Sequence, residues 1–145
     1  MKGKGTLYLT PSDTTIGFLC QDAARLDRVK RRPSGHPYLV ALPSLRALAA
    51  AVRVPLPFRR QVRRARRTTF IYPNGRSYRL VRDRRHLLLL RRLGWAFSTS
   101  ANLSGHPYDE AWAREQADVI VEPLGRPAAP SRILKLGRGR ARKIR

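Results

Sequence analysis

The sequence predicts one α/β domain, a mixed sheet with flanking helices. Three observations lead there. At 145 residues the chain has the length of a single hydrophobic core. Strand-like and helix-like segments mix without strict alternation. A hairpin signal, Pro73-Asn74-Gly75, lies between TTFIY and RSYRLV and places an antiparallel pair inside the sheet. Residues 1–136 read as one compact unit and 137–145 as a basic C-terminal tail.

In chain order, TLYL (6–9) is a short strand ending at Thr10-Pro11, and a polar turn leads to a second apolar piece, IGFLC. Asp22 caps a helix reaching about Arg31, with Ala23, Leu26 and Val29 three apart. Pro33-Ser34-Gly35 ends it. YLVAL (38–42) is a strand. Ser44 then caps a helix striped by Leu45, Leu48, Ala49 and Val52. After the hairpin, Asp83 caps a helix through Leu93, stopped by Gly94. Its HLLLL run is apolar over more than one face and is expected to be well buried. WAFS (95–98), DVIVE (118–122) and RILKL (132–136) are strands, and a helix spans about Asp109 to Ala117.

Lys and Arg number 31 and Asp and Glu 9, a formal net charge of +22. Such a field selects polyanions. The charge is clustered. RRQVRRARR contains Arg59, Arg60, Arg63, Arg64, Arg66 and Arg67 and no acid, which makes these six candidate nucleic-acid contacts. At 42% hydrophobic residues the chain still supports a core. No apolar run approaches a membrane span, the N-terminus does not read as a signal peptide, and one cysteine excludes an internal disulfide. A cytoplasmic protein is expected. Cys20 reads as core filler and His86 as structural. No metal site is expected.

Three polar islands stand at strand or helix ends: TPSDTT (10–15), KRRP (30–33) and STSANLSG (98–105). Loops at the ends of strands are where open α/β sheets place ligands. Small-residue loops offer amides and hydroxyls to phosphate, and Lys30 and Arg32 can neutralise charge on a phosphoryl group. Neither GxxxxGK[ST] nor GxGxxG is present. With acids scarce, chemistry by positioning and electrostatics fits better than hydrolysis by paired carboxylates.

In this order the islands resemble the Sua5/YciO/YrdC family. The residues that carry the resemblance are Pro11-Ser12-Asp13-Thr14-Thr15-Ile16-Gly17, Lys30-Arg31-Arg32-Pro33, His36-Pro37, Arg79, Thr99-Ser100-Ala101-Asn102-Leu103-Ser104-Gly105 and Pro130-Ser131. The resemblance implies a twisted open sheet around a positively charged cavity. It implies synthesis of L-threonylcarbamoyladenylate from L-threonine, bicarbonate and ATP with Mg²⁺, for the threonylcarbamoyl modification of tRNA at adenosine 37. Lys30 and Arg32 would be catalytic, and alanine at either is expected to abolish the reaction with the fold intact. Ser100, Asn102, Ser104 and Ser131 would hold the nucleotide; Ser12, Thr14, His36 and Arg79 would hold threonine. Possible partners are tRNA, double-stranded RNA and other proteins of that pathway.

The chain departs from the family pattern in places. The family's Trp-Pro-Gly-Pro segment is missing, its place taken by the arginine run, and Ile16, His36 and Arg132 replace a tyrosine, a lysine and a threonine. Two readings stay open: a compact synthase, or a non-catalytic relative that binds RNA or nucleotide.

Overall fold

A computed structural model describes residues 3–145. Nine strands and five helices are formed among these residues: β1 (Tyr8–Thr10), β2 (Gly17–Cys20), α1 (Ala23–Lys30), β3 (Leu39–Leu42), α2 (Leu45–Ala51), α3 (Arg59–Arg64), β4 (Thr68–Ile71), β5 (Ser77–Leu80), α4 (Arg84–Leu93), β6 (Ala96–Ser100), α5 (Glu110–Gln116), β7 (Val119–Ile120), β8 (Arg132–Leu136) and β9 (Ala141–Lys143). The strands make one mixed sheet in the order β7-β1-β2-β6-β3-β5-β4-β8-β9. β1–β7, β3–β5 and β4–β8 are parallel pairs, and the other neighbours are antiparallel. This is the mixed α/β sheet that the sequence predicts.

The caps expected from the sequence form. Asp22 accepts from the Ala24 amide at 3.0 Å, Ser44 from Ala47 at 3.1 Å and Asp83 from His86 at 3.0 Å. Gly94 closes α4 at φ 84°, a left-handed backbone that glycine adopts without strain.

The two faces of the sheet differ, because side chains alternate along each strand. One face is apolar. Leu9, Phe18 and Cys20 pack there with Leu26 of α1 and Ala113 of α5. Further along it, Phe70, Tyr78 and Leu134 meet Leu48 of α2 and Val62 of α3. Each fully buried leucine there is worth about 1.5–3 kcal/mol. Among the described residues the other face carries only α4, which packs Leu90 on Leu19, Ala41 and Ala96. The rest of that face is lined by hydroxyls and arginine, and it holds the site.

Two expectations need correction. The HLLLL run is not buried all round: Leu90 is fully covered, but Leu88 is 65% exposed. α4 lies on the sheet by one face only, so one side of its apolar run has no partner. Residues 137–145, read from the sequence as a basic C-terminal tail outside the 1–136 unit, are joined to the sheet. β9 pairs with β8 through Leu134↔Lys143 and Leu136↔Ala141, and beyond it Arg145 exchanges main-chain hydrogen bonds with Ile133. Gly137 and Arg140 close this hairpin with a 2.9 Å bond. The arginines of the segment obscured its strand character. No helix among the described residues is long and apolar enough to cross a membrane.

Candidate active site

A cavity of about 490 Å³ opens on the less covered face of the sheet. The register explains its lining. Thr10 pairs with Gly17 and Gly17 with Ser100; Leu19 pairs with Ser98 and Ser98 with Leu39; Thr69 pairs with Ile133. These positions share one face and all line the cavity, together with Ser77 and Arg79 of β5. Thr14, Thr15, Arg32, His36, Ser131 and Arg145 enter from loops and from the end of the chain. His86 reaches in from α4.

Gly17 pairs with Ser100 at the start of β2. A Cβ on it would lie 2.9 Å from the Thr99 carbonyl, so the position admits no side chain without moving β2 from β6.

The first island is a tight hydroxyl turn. Ser12 Oγ accepts from the Thr14 amide at 3.1 Å and donates to the Thr15 carbonyl at 2.7 Å. Thr14 Oγ1 lies 3.1 Å from Ser12 Oγ and accepts from Arg79 Nη1 at 2.8 Å. Arg79 is 4% exposed and its Nε has no partner. Burial pulls its pKa down, and the nearby Asp13 carboxylate opposes that only in part. Nor does Arg79 form an ion pair among the described residues. A buried guanidinium with donors to spare, lining a cavity, is suited to an anion.

The second and third islands lock together behind the wall. Lys30 is 0% exposed. Its Nζ donates to the Ser100 and Asn102 carbonyls at 2.6 and 2.8 Å and to Asn102 Oδ1 at 3.4 Å. Burial first, and Arg32 second, bring its pKa down to about 7. Three acceptors nonetheless match the three hydrogens of an ammonium. Ser100 Oγ donates to Asn102 Oδ1, while Asn102 Nδ2 donates to the Leu103 and His106 carbonyls at 3.1 and 2.7 Å. Arg32 Nε donates to Ser104 Oγ at 3.2 Å, and its guanidinium lies 5.5 Å from the Tyr38 ring centre. Tyr38 in turn donates to Asp27 at 2.7 Å. His36 packs edge-on against Tyr38 at 4.9 Å, and desolvation and then Arg32 hold its pKa below the usual histidine value.

Seven of the predicted site residues therefore converge on the cavity: Ser12, Thr14, Arg32, His36, Arg79, Ser100 and Ser131. Lys30, Asn102 and Ser104 do not line it; they hold the loop that does. Arg59, Arg60, Arg63, Arg64 and Arg66 line a different cleft, and Arg67 lines neither. Ile16 belongs to the apolar core and Arg132 lies outside the cavity lining, so neither replacement alters the wall.

Sequence reasoning missed Arg145 and His86. Arg145 Nε donates to the Ser131 carbonyl at 3.0 Å, with Nη2 3.5 Å from Ser131 Oγ, which also bonds Thr69 at 3.0 Å. His86 is 1% exposed, and neither ring nitrogen has a partner at ordinary hydrogen-bond distance, although the Pro11 backbone is close enough to favour the charged ring slightly. Burial, and then Arg79, lower its pKa to about 4. No local signal marked Arg145, because strand pairing alone carries it to Ser131. Among the described residues no cluster of His, Cys, Asp or Glu is placed to hold a metal ion.

Solved structures share this architecture. P. abyssi Sua5 complexed with L-threonine superposes with a TM-score of 0.81 at 18% identity, over 97% of this chain and 50% of that one. E. coli YciO gives 0.75 at 22% identity, over 98% and 83%. The chain has the Sua5/YciO/YrdC fold. In sequence it is 28% identical over 148 residues to the uncharacterized protein MG259 homolog of Mycoplasma pneumoniae, covering 92% of this chain and 31% of that one. It thus spans about a third of that relative and half of Sua5. No family model matches.

Proposed function

We propose that this chain is a Sua5/YciO/YrdC family nucleotidyltransferase that makes L-threonylcarbamoyladenylate and pyrophosphate from L-threonine, bicarbonate and ATP, for modification of tRNA adenosine 37. One observation carries this reading. Arg32, Arg79 and Arg145 line a hydroxyl-rich cavity of about 490 Å³, and none of the three is ion-paired among the described residues. The proposed substrates bring a carboxylate, a carbamate and a triphosphate, three anions for three free cations. That P. abyssi Sua5 was solved with L-threonine supports a cavity of this kind accepting that amino acid.

The roles follow from position. Arg79 pairs with the threonine carboxylate, beside Ser12 and Thr14. The amine and bicarbonate condense to a carbamate with loss of water. A carbamate oxygen then attacks the α-phosphorus of ATP; the new O–P bond forms as the Pα–O–Pβ bond breaks, and pyrophosphate takes the electron pair. Arg32 and Arg145 neutralise charge on the phosphoryl oxygens, and Ser100 and Ser131 donate hydrogen bonds to phosphate or ribose. Mg²⁺ arrives with the triphosphate as part of the substrate. Lys30, Asn102 and Ser104 act through the loop they hold.

One observation favours the alternative, a relative that binds nucleotide or RNA without catalysis: Lys30 does not line the cavity, and its Nζ is taken up by the end of β6 and the loop after it. The deciding experiment is rapid separation and mass detection of product from labelled ATP, threonine, bicarbonate and Mg²⁺. Product that requires both threonine and bicarbonate, and falls on the order of 10²–10³-fold in Arg32→Ala, supports the synthase. ATP binding without product supports the alternative.

A further inference from the structure

Away from the cavity, six arginines line a second cleft of about 630 Å³: Arg59, Arg60, Arg63 and Arg64 of α3, Arg66 just after it, and Arg82 before α4. We infer that this cleft is a separate binding site for the phosphodiester backbone of nucleic acid.

The fold builds the cleft deliberately close. Val62 is buried in the apolar core and pins the inner face of α3 to the sheet. Arg59 and Arg63 then stack four apart on the outer face, as do Arg60 and Arg64. Arg82 crosses from the other side. Its Nε donates to the Ala65 carbonyl at 3.1 Å and its Nη2 to that of Arg63, which closes the C-terminal end of α3. Six like charges are thus held around one concavity. None is in an ion pair among the described residues, and no carboxylate lines the cleft.

Backbone hydrogen bonds account for Arg82 and Arg59, but Arg60, Arg63, Arg64 and Arg66 make no side-chain hydrogen bond among the described residues. Like charges four apart on a helix repel, and that repulsion opposes the structure. Arginine in solution would spread out. Here six arginines line one cleft, and an anion bound there would relieve the repulsion. Guanidinium forks grip phosphate oxygens in pairs, and several phosphates along one ridge suit a concave groove better than a flat anionic surface. No aromatic side chain lines the cleft to stack on a base. The site therefore reads backbone, and sequence preference is expected to be weak.

The test uses the full chain and two labelled 24-base-pair duplexes of one sequence, RNA and DNA, with anisotropy followed from about 50 to 300 mM KCl. Phosphatidylserine vesicles form a third arm. The variant Arg59→Gln/Arg63→Gln/Arg66→Gln removes three cleft charges and leaves Arg82 in place. A charge-matched control, Arg91→Gln/Arg92→Gln/Arg138→Gln, removes three exposed charges elsewhere. The cleft variant should weaken duplex binding by about 10- to 100-fold at 100 mM salt and reduce the log–log salt slope by roughly 3. The control should change binding less than threefold, and circular dichroism should show both variants folded. Arg32→Ala in the cavity should leave duplex binding intact, which separates this proposal from the cavity reading. Stronger binding to one duplex identifies which nucleic acid the site prefers. Equal losses in the cleft variant and the control would overturn the proposal in favour of diffuse charge, and saturable binding only to vesicles would overturn it in favour of a membrane surface.

Discussion

Lys30 Nζ reaches from the last turn of α1 to the main-chain carbonyl of Ser100, 2.6 Å away, and so ties the basic island to the end of β6. The two islands that carry most of the family resemblance are therefore one mechanical unit. The ammonium sits behind the cavity wall, bonded to the loop whose outer side presents Ser100.

Lys30→Ala is accordingly a poor test of catalysis. It leaves three acceptors without their shared donor inside the protein, and each unpaired buried group costs about 1–3 kcal/mol where water cannot replace the donor. The expected outcome is a loss of roughly 2–4 kcal/mol in denaturant unfolding, with any loss of activity following from the loosened loop. Arg32→Ala removes a half-buried side chain and should change stability by under about 1 kcal/mol. Equal stability of the two variants would show that Lys30 is not structural.

Most of the fold was legible because local rules decide it. Asp22, Ser44 and Asp83 cap the helices they were expected to cap. The Pro73-Asn74-Gly75 turn joins β4 to β5. Ser, Thr, Asn and Gly clusters are common in ordinary turns and caps, so the polar islands marked the cavity by their place at element ends and by their order, which resembles the family. The errors share a cause: they depend on pairings distant in sequence. Strand pairing brings Arg145 to Ser131 over fourteen residues, and a single helix face brings His86 into the cavity. Residue type and the family resemblance made Lys30 look like a cavity cation, whereas its place at the end of α1 sends the side chain to the end of β6 and the loop after it.

Gly17→Ala tests the close approach of β2 and β6. The added Cβ would stand 2.9 Å from the Thr99 carbonyl, which is backbone and cannot rotate aside. The strands must separate, at a cost of about 1–3 kcal/mol. Since Gly17 and Ser100 are paired and both line the cavity, ligand affinity should fall with stability. Thermal melts with and without ATP measure both effects. An unchanged melting temperature would mean that the strands are free to separate.

His86 sets an acid limit. Its pKa falls from 6.5 to about 4 on folding, through burial and then Arg79. The unfolded chain therefore takes up a proton between these values while the folded chain does not. Stability contributed by the neutral imidazole is complete above about pH 6.5 and is lost as pH falls toward 4, by at most about 3 kcal/mol. Denaturant unfolding from pH 7.5 to 4 should show this slope in the parent chain and a shallower one in His86→Gln. Parallel pH profiles would assign the acid sensitivity to the carboxylates instead.

Arg79 separates stability from function most sharply. Its guanidinium is buried, has an unpartnered Nε and faces no ion-paired carboxylate, so in the ligand-free chain it is an electrostatic cost. Arg79→Met keeps much of the volume and removes the charge. Thr14 Oγ1 loses a donor but stays 3.1 Å from Ser12 Oγ. The variant should unfold at the same temperature as the parent or several degrees higher. A ligand that pairs with Arg79 stabilises the folded chain in proportion to the logarithm of its concentration over its dissociation constant. Added threonine should raise the melting temperature of the parent and leave that of Arg79→Met unmoved, whereas inorganic phosphate, held by Arg32 and Arg145, should stabilise both. A stable variant that still responds to threonine would remove Arg79 from the carboxylate site. A strongly destabilised variant would show that the Thr14 bond, rather than an awaited anion, justifies burying the charge.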